Sequence, residues 1–316
     1  MELVPKISIV VVNKNGAKFL KECLRSIVDQ EYPNLELIVV DGGSSDGSMD
    51  IINHFLPHIE HLFHEPDEGP YFAVDKGLKM ATGDVMAWIN SDDKYLPGAF
   101  HTTANILSVF PEVEWLMGYP GEYDIHGTLI KRIAPSWARW SRYRYLSFDY
   151  QFIQQESCFW RRELWEKAGN KIDTSFQLAA DLELWTRFFR HARLHTTIAS
   201  LAGFRQHSKN QRSVAQRSEY MAECRQIIQR ELSQQKSTDR LWYQLLRPIG
   251  WVLGPLFFFE LPFVRHIYRW FYRIPMLINY DVVNHCYHRS ERLVKFPSQH
   301  WRGKSIHRES LNKTTS

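Results

Sequence analysis

Asp92 and Asp93 stand side by side at the end of VMAWIN, an apolar run that reads as a buried strand. Two adjacent carboxylates repel and are costly to desolvate, so a site that keeps both charged usually supplies a cation. Hard divalent ions such as Mg²⁺ and Mn²⁺ take oxygen ligands and bridge one or two protein carboxylates to substrate phosphates. The pair therefore points to a metal and a phosphate-bearing ligand; the plainer alternative is an Asp-rich turn that caps the next helix. Asp41 ends a second apolar run and precedes GGSSDGS, whose glycines allow close backbone approach and whose polar side chains can meet a nucleotide. This turn is not a P-loop, because the Gly-Lys-Ser/Thr ending is missing. A third acid, Asp181, precedes Leu184, Trp185 and Phe188 by three, four and seven residues in QLAADLELWTRFFRH. That spacing puts it on the apolar side of a helix, near its start, where orphan amides and the helix dipole also favour an acid. Glu183 falls elsewhere on the wheel.

The elements that must position these residues follow from hydrophobic periodicity. Residues 7–12 (ISIVVV), 35–41 (LELIVVD) and 85–90 (VMAWIN) are short, β-branched-rich runs expected of strands buried on both faces. Between the first two, Leu20, Cys23, Leu24, Ile27 and Val28 form one stripe of an amphipathic helix, with Cys23 in the core. Further helices are expected after the Gly-rich turn, with Ile51, Ile52 and Phe55 inward, and over YFAVDKGLKMAT. Alternation of this kind gives βαβ units and a parallel sheet, whose ligands bind outside the carboxyl ends of the strands. Asn13, Asn15, Asp41, Asp92 and Asp93 all fall at or just past such ends. More strands are expected from 112 to 130, a second helical region from 155 to 193, and helices rich in Gln, Arg and aromatics from 215 onward.

In this order, the segment ISIVVVNKNGAKFLKECLRSIVDQEYPNLELIVVDGGSSDGSMDII and the segment EPDEGPYFAVDKGLKMATGDVMAWINSDDKYLPGAF resemble the family 2 nucleotide-sugar glycosyltransferases of the GT-A fold. The likeness covers residues 5–210 and is most similar to the bacterial enzymes that build O-antigen and other surface polysaccharides. It implies an α/β protein with a Rossmann-like, mainly parallel sheet flanked by helices. It also implies that Asn13, Asn15 and Asp41 contact the uridine of a UDP-sugar and that Lys76 belongs to the donor site. NSDD corresponds to the DXD-type motif, with Asp92 and Asp93 holding Mn²⁺ or Mg²⁺ against the diphosphate, Asp93 touching the metal and Asp92 turned toward sugar or ribose. Asp181 becomes the general base that deprotonates the acceptor, with inversion at the anomeric carbon, and His207 resembles a histidine that completes the metal site or binds diphosphate in some relatives. Outside that likeness His207 is a solvated loop residue, with Arg205 and Lys209 as alternative phosphate partners. Lys76 and Gly77 keep the end of an Asp-Ala-Met-Asn-Lys-Gly segment, while Phe72 and Asp75 replace its acid and amide, which leaves the sugar open.

The bulk properties are compatible with this. A chain of 316 residues, 44% apolar, can bury a large core. The four cysteines are too scattered for a zinc site or a disulfide scaffold and suggest a reducing compartment. MELVPKISIVVVNKNG lacks the basic region and long apolar stretch of a signal peptide. The net charge is only +4, yet eleven Lys/Arg face four Asp/Glu from Leu241 to the end. Residues 249–264 are strongly apolar but hold Pro255, Glu260 and Pro262 and fall short of the about 20 residues of a spanning helix. Arg265, Arg269 and Arg273 then recur among Trp and Tyr, as expected of a helix at a membrane interface; a hairpin packed on the catalytic domain is the alternative.

The expected organisation is a catalytic domain over 1–215, with a nucleotide-binding half (1–110) and an acceptor half (111–215), then a helical membrane-associating region (216–300) and a disordered tail (301–316). Within the acceptor half, Arg139, Arg142 and Arg144 interleave with Trp137, Trp140, Tyr143 and Tyr145, which suits an acceptor carrying glycan and diphosphate. Such a stretch also suits single-stranded nucleic acid, but no nucleic acid is expected here. The partners expected are a nucleotide-sugar donor, a polyprenyl-diphosphate-linked or other glycan acceptor, and an anionic membrane surface met by residues 241–300 at the cytoplasmic face. Rival readings are a sugar nucleotidyltransferase, which needs a Gly-rich basic loop where VVNKNGAKFL offers one Gly, and a non-catalytic scaffold that binds nucleotide-sugar.

Overall fold

β-branched runs in the first third of the chain fold as strands because each can bury both of its faces. A computed structural model describes residues 4–132, 140–146, 153–207, 216–234, 241, 243–245, 248 and 262–290. In its first third, β1 (Ile7–Asn13), α1 (Ala17–Val28), β2 (Leu35–Asp41), α2 (Ser48–Phe55), β3 (His61–His64), α3 (Pro70–Met80) and β4 (Val85–Asn90) alternate as the periodicity requires. One strand, β3, was not expected: HLFH is short, has His at both ends and lies at the edge of the sheet, so it carries almost no apolar signal.

Next come β5 (Lys94–Tyr95), α4 (Ala99–Val109), β6 (Trp115–Met117), β7 (Gly121–Tyr123), β8 (Leu129–Arg132), α5 (Arg142–Leu146), β9 (Cys158–Arg161), α6 (Arg162–Lys167), α7 (Ala180–His191), β10 (Leu194–Thr196) and β11 (Ala202–Arg205). The helical region expected from 155 to 193 is thus interrupted. Its first apolar residues enter the main sheet as β9, antiparallel to both β4 and β6. Four residues are too few to show a period.

The main sheet has seven strands in the order β10-β6-β9-β4-β1-β2-β3, and only the β9 pairings are antiparallel. Strand β1 is its switch point, paired in parallel with β2 on one side and β4 on the other. The register sets Asn13 opposite Asp41 and Val12 opposite Asn90, so three polar strand ends meet at one edge.

Alternation along β1 sorts the core into two layers. Val10 and Val12 join Ile38, Val40, Val74, Leu78 and a group of tryptophans, whereas Ile9 and Val11 join Leu20, Leu24, Ile27, Leu37 and Val39 beneath α1. Cys23 is buried there, as expected. In the first layer Trp185 stacks on Trp88 and Trp115, at ring separations of 5.6 and 5.1 Å, and meets Trp160 edge-on. Rings of this size each bury enough apolar surface to contribute roughly 4–6 kcal/mol, so α7 is pinned to the sheet close to where Asp181 projects.

Two helices and a hairpin follow: α8 (Arg217–Ser233), α9 (Pro262–Tyr272), β12 (Leu277–Asp281) and β13 (Cys286–Ser290). The region beyond 215 is therefore not purely helical, because β12 and β13 pair as a two-stranded sheet. Its described parts pack on the residues before 215. Cys224, Ile227 and Ile228 of α8 enter the tryptophan layer, Thr197 bridges Ile278, and Arg273 lies 5.1 Å over the Tyr143 ring. Among the described residues no helix is long and apolar enough to cross a membrane. Residues 249–261, the tail 301–316, Lys209, Trp137 and Arg139 lie outside the described residues.

Close approach of α3 to β1 depends on Gly77. A Cβ there would stand 2.3 Å from Val10 Cγ1, inside the sheet. Gly77→Ala is expected to cost about 1–3 kcal/mol through overpacking, read as a lower midpoint in urea unfolding. An unchanged midpoint would mean that α3 can back away.

Candidate active site

The first corner of the site is the β1–β2 edge. Asn13 Nδ2 donates to Asp41 Oδ2 at 2.7 Å, and Ser44 donates to Asp41 through both its amide and its hydroxyl. His64 Nδ1 lies 2.7 Å from the other carboxylate oxygen. Burial opposes the charge on Asp41, but the hydrogen bonds from Ser44, Asn13 and His64 outweigh it and hold the carboxyl below its usual range. Asp41 is fully buried and its oxygens are engaged by Asn13, Ser44 and His64, so it braces this corner. Asn13 keeps one buried amide oxygen, Oδ1, without a partner. Asn15 adopts a left-handed backbone (φ 52°), as Asn can, so that its Oδ1 accepts from Ser45 N while its own amide donates to Ser44 Oγ.

The Gly-rich turn has two tasks that its composition alone does not separate. Asp46 accepts from Ala17 N and from Ser48 N, so one carboxylate serves the first turns of both α1 and α2. Gly42 makes room for a residue that motif reading passed over: a Cβ at 42 would stand 2.6 Å from Asp67 Oδ2. Asp67, whose other oxygen accepts from Gly69 N, thus brings an acid to the corner from the β3–α3 connection. Lys76, expected at the donor site, instead pairs with Glu65 and lies 4.3 Å over the Phe63 ring.

The second corner follows β4. The pairing of β11 with β5, Gly203 opposite Lys94, carries residues 205–207 alongside the two acids. Arg205 N donates to Asp93 Oδ1 at 2.8 Å, and its guanidinium donates to the Asp92 carbonyl and to Glu22 Oε2 at 2.7 and 2.6 Å. Phe19 underlies the guanidinium at 4.9 Å and also meets the His207 ring. His207 lies beside Asp92, with Nε2 2.9 Å from Asp92 Oδ2.

The two acids differ sharply. Asp93 is 1% exposed, and burial first, then the charges of Glu156 and Asp92, push its carboxyl well up. Asp92 is about a third exposed and shares the open side with His207. Asp93 is turned inward, with Oδ1 tied to the β11 backbone and Oδ2 buried without a hydrogen-bond partner, while Asp92 faces out. Glu156, which the sequence reading did not single out, lies behind both acids; burial leads, and the charge of Asp92 adds, in raising its carboxyl to about 8.

The third corner is the start of α7. A helix that follows a strand begins at the strand's carboxyl end, so Tyr71, in the first turn of α3 after β3, marks this edge. Its hydroxyl lies 3.1 Å from both Asp181 Oδ1 and the Leu178 carbonyl. Asp181 is thereby placed on the same edge as the other two corners. Its carboxyl is raised to about 6, chiefly by burial, against the bonds from the Leu182 amide and Tyr71 that favour its charge. Glu183, one turn-face away, is buried and held by Arg187 and Arg230, so its carboxylate is already spent.

The aromatic and basic stretch expected to take an acceptor folds inward in its described part. Arg144 is 2% exposed with its guanidinium 4.7 Å over the Trp140 ring, Trp140 and Tyr145 are buried, and Arg142 pairs with Glu231. Among the described residues no group of three or more His, Cys, Asp and Glu forms a ready-made metal cage. A carboxylate with one imidazole nevertheless fits a cation that keeps its remaining positions for phosphate oxygens and water, and the nitrogen donor suits Mn²⁺ better than Mg²⁺.

Residues 8–113 match the model of Glycosyl transferase family 2. A PGL/p-HBAD biosynthesis glycosyltransferase of Mycobacterium bovis is 29% identical over 214 residues, covering 63% of this chain and 78% of that protein. Among solved structures, S. aureus TarS (residues 1–349) superposes with a TM-score of 0.60 at 16% identity, covering 75% of this chain and 69% of that one, and the same fragment is known in complex with UDP-GlcNAc. The mannosyltransferase PcManGT from Pyrobaculum calidifontis, solved with GDP-Man and Mn²⁺, gives 0.52 at 16% identity over 84% of each chain. The chain is thus similar to family 2 glycosyltransferases over residues 8–113, and it shares its fold with these nucleotide-sugar-binding structures.

Proposed function

We propose that the protein moves a sugar from a UDP-sugar to a polyprenyl-diphosphate-linked or other glycan acceptor, with inversion, at the cytoplasmic face of a membrane. The observation that carries the reading is the shared sheet edge: a half-buried, proton-accepting Asp181 on one side and the outward Asp92–His207 pair on the other. Asn13, Asn15 and Asp67 line the corner in which a nucleobase and ribose fit, with Asn13 Oδ1 as a waiting acceptor.

Asp181 takes the proton of the acceptor hydroxyl while that oxygen bonds to the anomeric carbon. On the opposite face the bond from carbon to the diphosphate oxygen breaks, and its electron pair leaves with the nucleotide. A divalent cation on Asp92 and His207 would offset the charge that develops on that leaving group. Tyr71 orients Asp181, and burial keeps its carboxyl close enough to neutrality to accept and later release a proton. Support for the membrane face comes from the basic surplus after Leu241 and from Trp270 and Val283, which stay largely exposed. Each basic residue near an anionic leaflet is worth about 1 kcal/mol.

Asp181→Asn is expected to lower turnover about a thousandfold with donor binding intact, tested by hydrolysis of UDP-sugars with Mn²⁺. As the base must be ionised, wild-type turnover should fall as pH drops through about 6 and level off above it. A profile flat from pH 5 to pH 8, on an order-of-magnitude view of such limbs, removes Asp181 from the role. In calorimetry with UDP, Asp92→Asn should abolish the tightening produced by Mn²⁺, whereas Asp93→Asn should retain most of it; equal loss would return the metal to Asp93. The full chain should sediment with phosphatidylglycerol vesicles and not with phosphatidylcholine vesicles at the same salt. Equal sedimentation sinks the membrane reading.

A further inference from the structure

The turn before Asp181 has no capping side chain of its own. Gln177, Leu178 and Ala179 present three successive amides at the start of α7, and Ala179, the residue before the helix, cannot accept a hydrogen bond through its side chain. All three amides donate to one carboxylate, Glu223 of α8: Gln177 N to Oε1 at 3.0 Å, and Leu178 N and Ala179 N to Oε2 at 2.9 and 2.8 Å. Amides left unpaired at a helix start are otherwise satisfied locally or by water. Here the partner comes from a helix more than forty residues later in the chain.

The same turn sets the base. The Leu178 carbonyl accepts from Tyr71, whose hydroxyl also lies against Asp181. Helix α8 is held in place independently of Glu223, by Cys224, Ile227 and Ile228 in the core and by Glu231 and Arg230, which pair with Arg190 and with Asp173 and Glu183. Its position is therefore firm enough to act as a reference for the loop it caps.

We propose that Glu223 is a positioning residue for transfer: its carboxylate fixes the 177–179 turn and, through that turn, the place and charge environment of Asp181. This rests on the reading of Asp181 as general base. It makes α8, which lies beyond the segment matched by the family model, part of the working site rather than an appended helix. The charged and titratable groups that bear on Asp181 are Tyr71 from α3, Glu223, Tyr220 and Cys224 from α8, Tyr145 from α5, and Glu156 and Cys158 beside β9. Of these, Glu223 is the one carboxylate that both caps the turn and raises Asp181 by its charge.

The test compares wild type with Glu223→Gln and Glu223→Ala. Asp181 is titrated by NMR of ¹³C-labelled aspartate carboxyls, its signal identified by loss in Asp181→Asn, alongside the pH profile of UDP-sugar hydrolysis with Mn²⁺. Because the charge is removed in both variants, the Asp181 midpoint should move to lower pH by the same amount in each, the acid limb of turnover should follow, and plateau turnover should fall about tenfold with KM for the donor unchanged. Gln keeps an acceptor for the turn, so a midpoint that moves in Ala but not in Gln shows a purely structural cap and overturns the proposal. So does a midpoint that moves in neither. If Asp181→Asn stays active, the base reading falls, and the proposal with it; the NMR midpoints still report separately whether Glu223 sets the Asp181 environment.

Discussion

Acidic groups crowd the carboxyl edge of this sheet, and the fold around them is arranged to supply each with donors or to keep it neutral. Unpaired charge at a half-buried edge is costly, so the arrangement of partners decides which carboxylates remain available. Asp41 is saturated by Ser44, Asn13 and His64; Glu183 is saturated by Arg187 and Arg230; Glu156 pairs with no cation among the described residues and is pushed toward its neutral form, chiefly by burial. Asp92 beside His207, Asp181 beneath Tyr71 and Asp67 after β3 keep open capacity among the described residues, as does the buried Oδ2 of Asp93.

Arg205 makes this selection at the acid turn. Its backbone amide takes Asp93 and its guanidinium takes the Asp92 carbonyl, which turns one side chain in and leaves the other out. A planar fork with Phe19 beneath it can reach Glu22 and the Asp124 and Ile125 carbonyls at once, tying α1, the acid turn and the β7–β8 connection together. The like charges that opened the problem are thus not equivalent: Asp93 is buried with one oxygen tied to the β11 backbone, and Asp92 is partly exposed beside His207.

The C-terminal half contributes more to this edge than an extension would. Helix α8 closes the tryptophan layer over α7 and supplies the carboxylate that caps the turn leading to Asp181. The hairpin β12–β13 leans on the residues after β10 through the Thr197–Ile278 bridge. Catalytic machinery and C-terminal packing are therefore mechanically continuous.

Local pattern alone determined the strands at 7–13, 35–41 and 85–90, the stripe of α1, and the placing of Asn13, Asp41 and the acid pair at strand ends, since alternation and turn residues are written in consecutive positions. It also put Asp181 on the apolar side of its helix, because a 3.6-residue period needs no partner to be seen. Three features had no such local mark. Strands β3 and β9 are four residues each, and their identity as strands comes from neighbours in the sheet. The inward turn of Asp93 comes from Arg205, 112 residues away. The company of Asp181, Tyr71 at 110 residues' distance and the Glu223 cap across α8, was decided when helices packed. A carboxylate's type and period are properties of the chain, but its protonation and freedom depend on which donors the tertiary structure brings within hydrogen-bond reach.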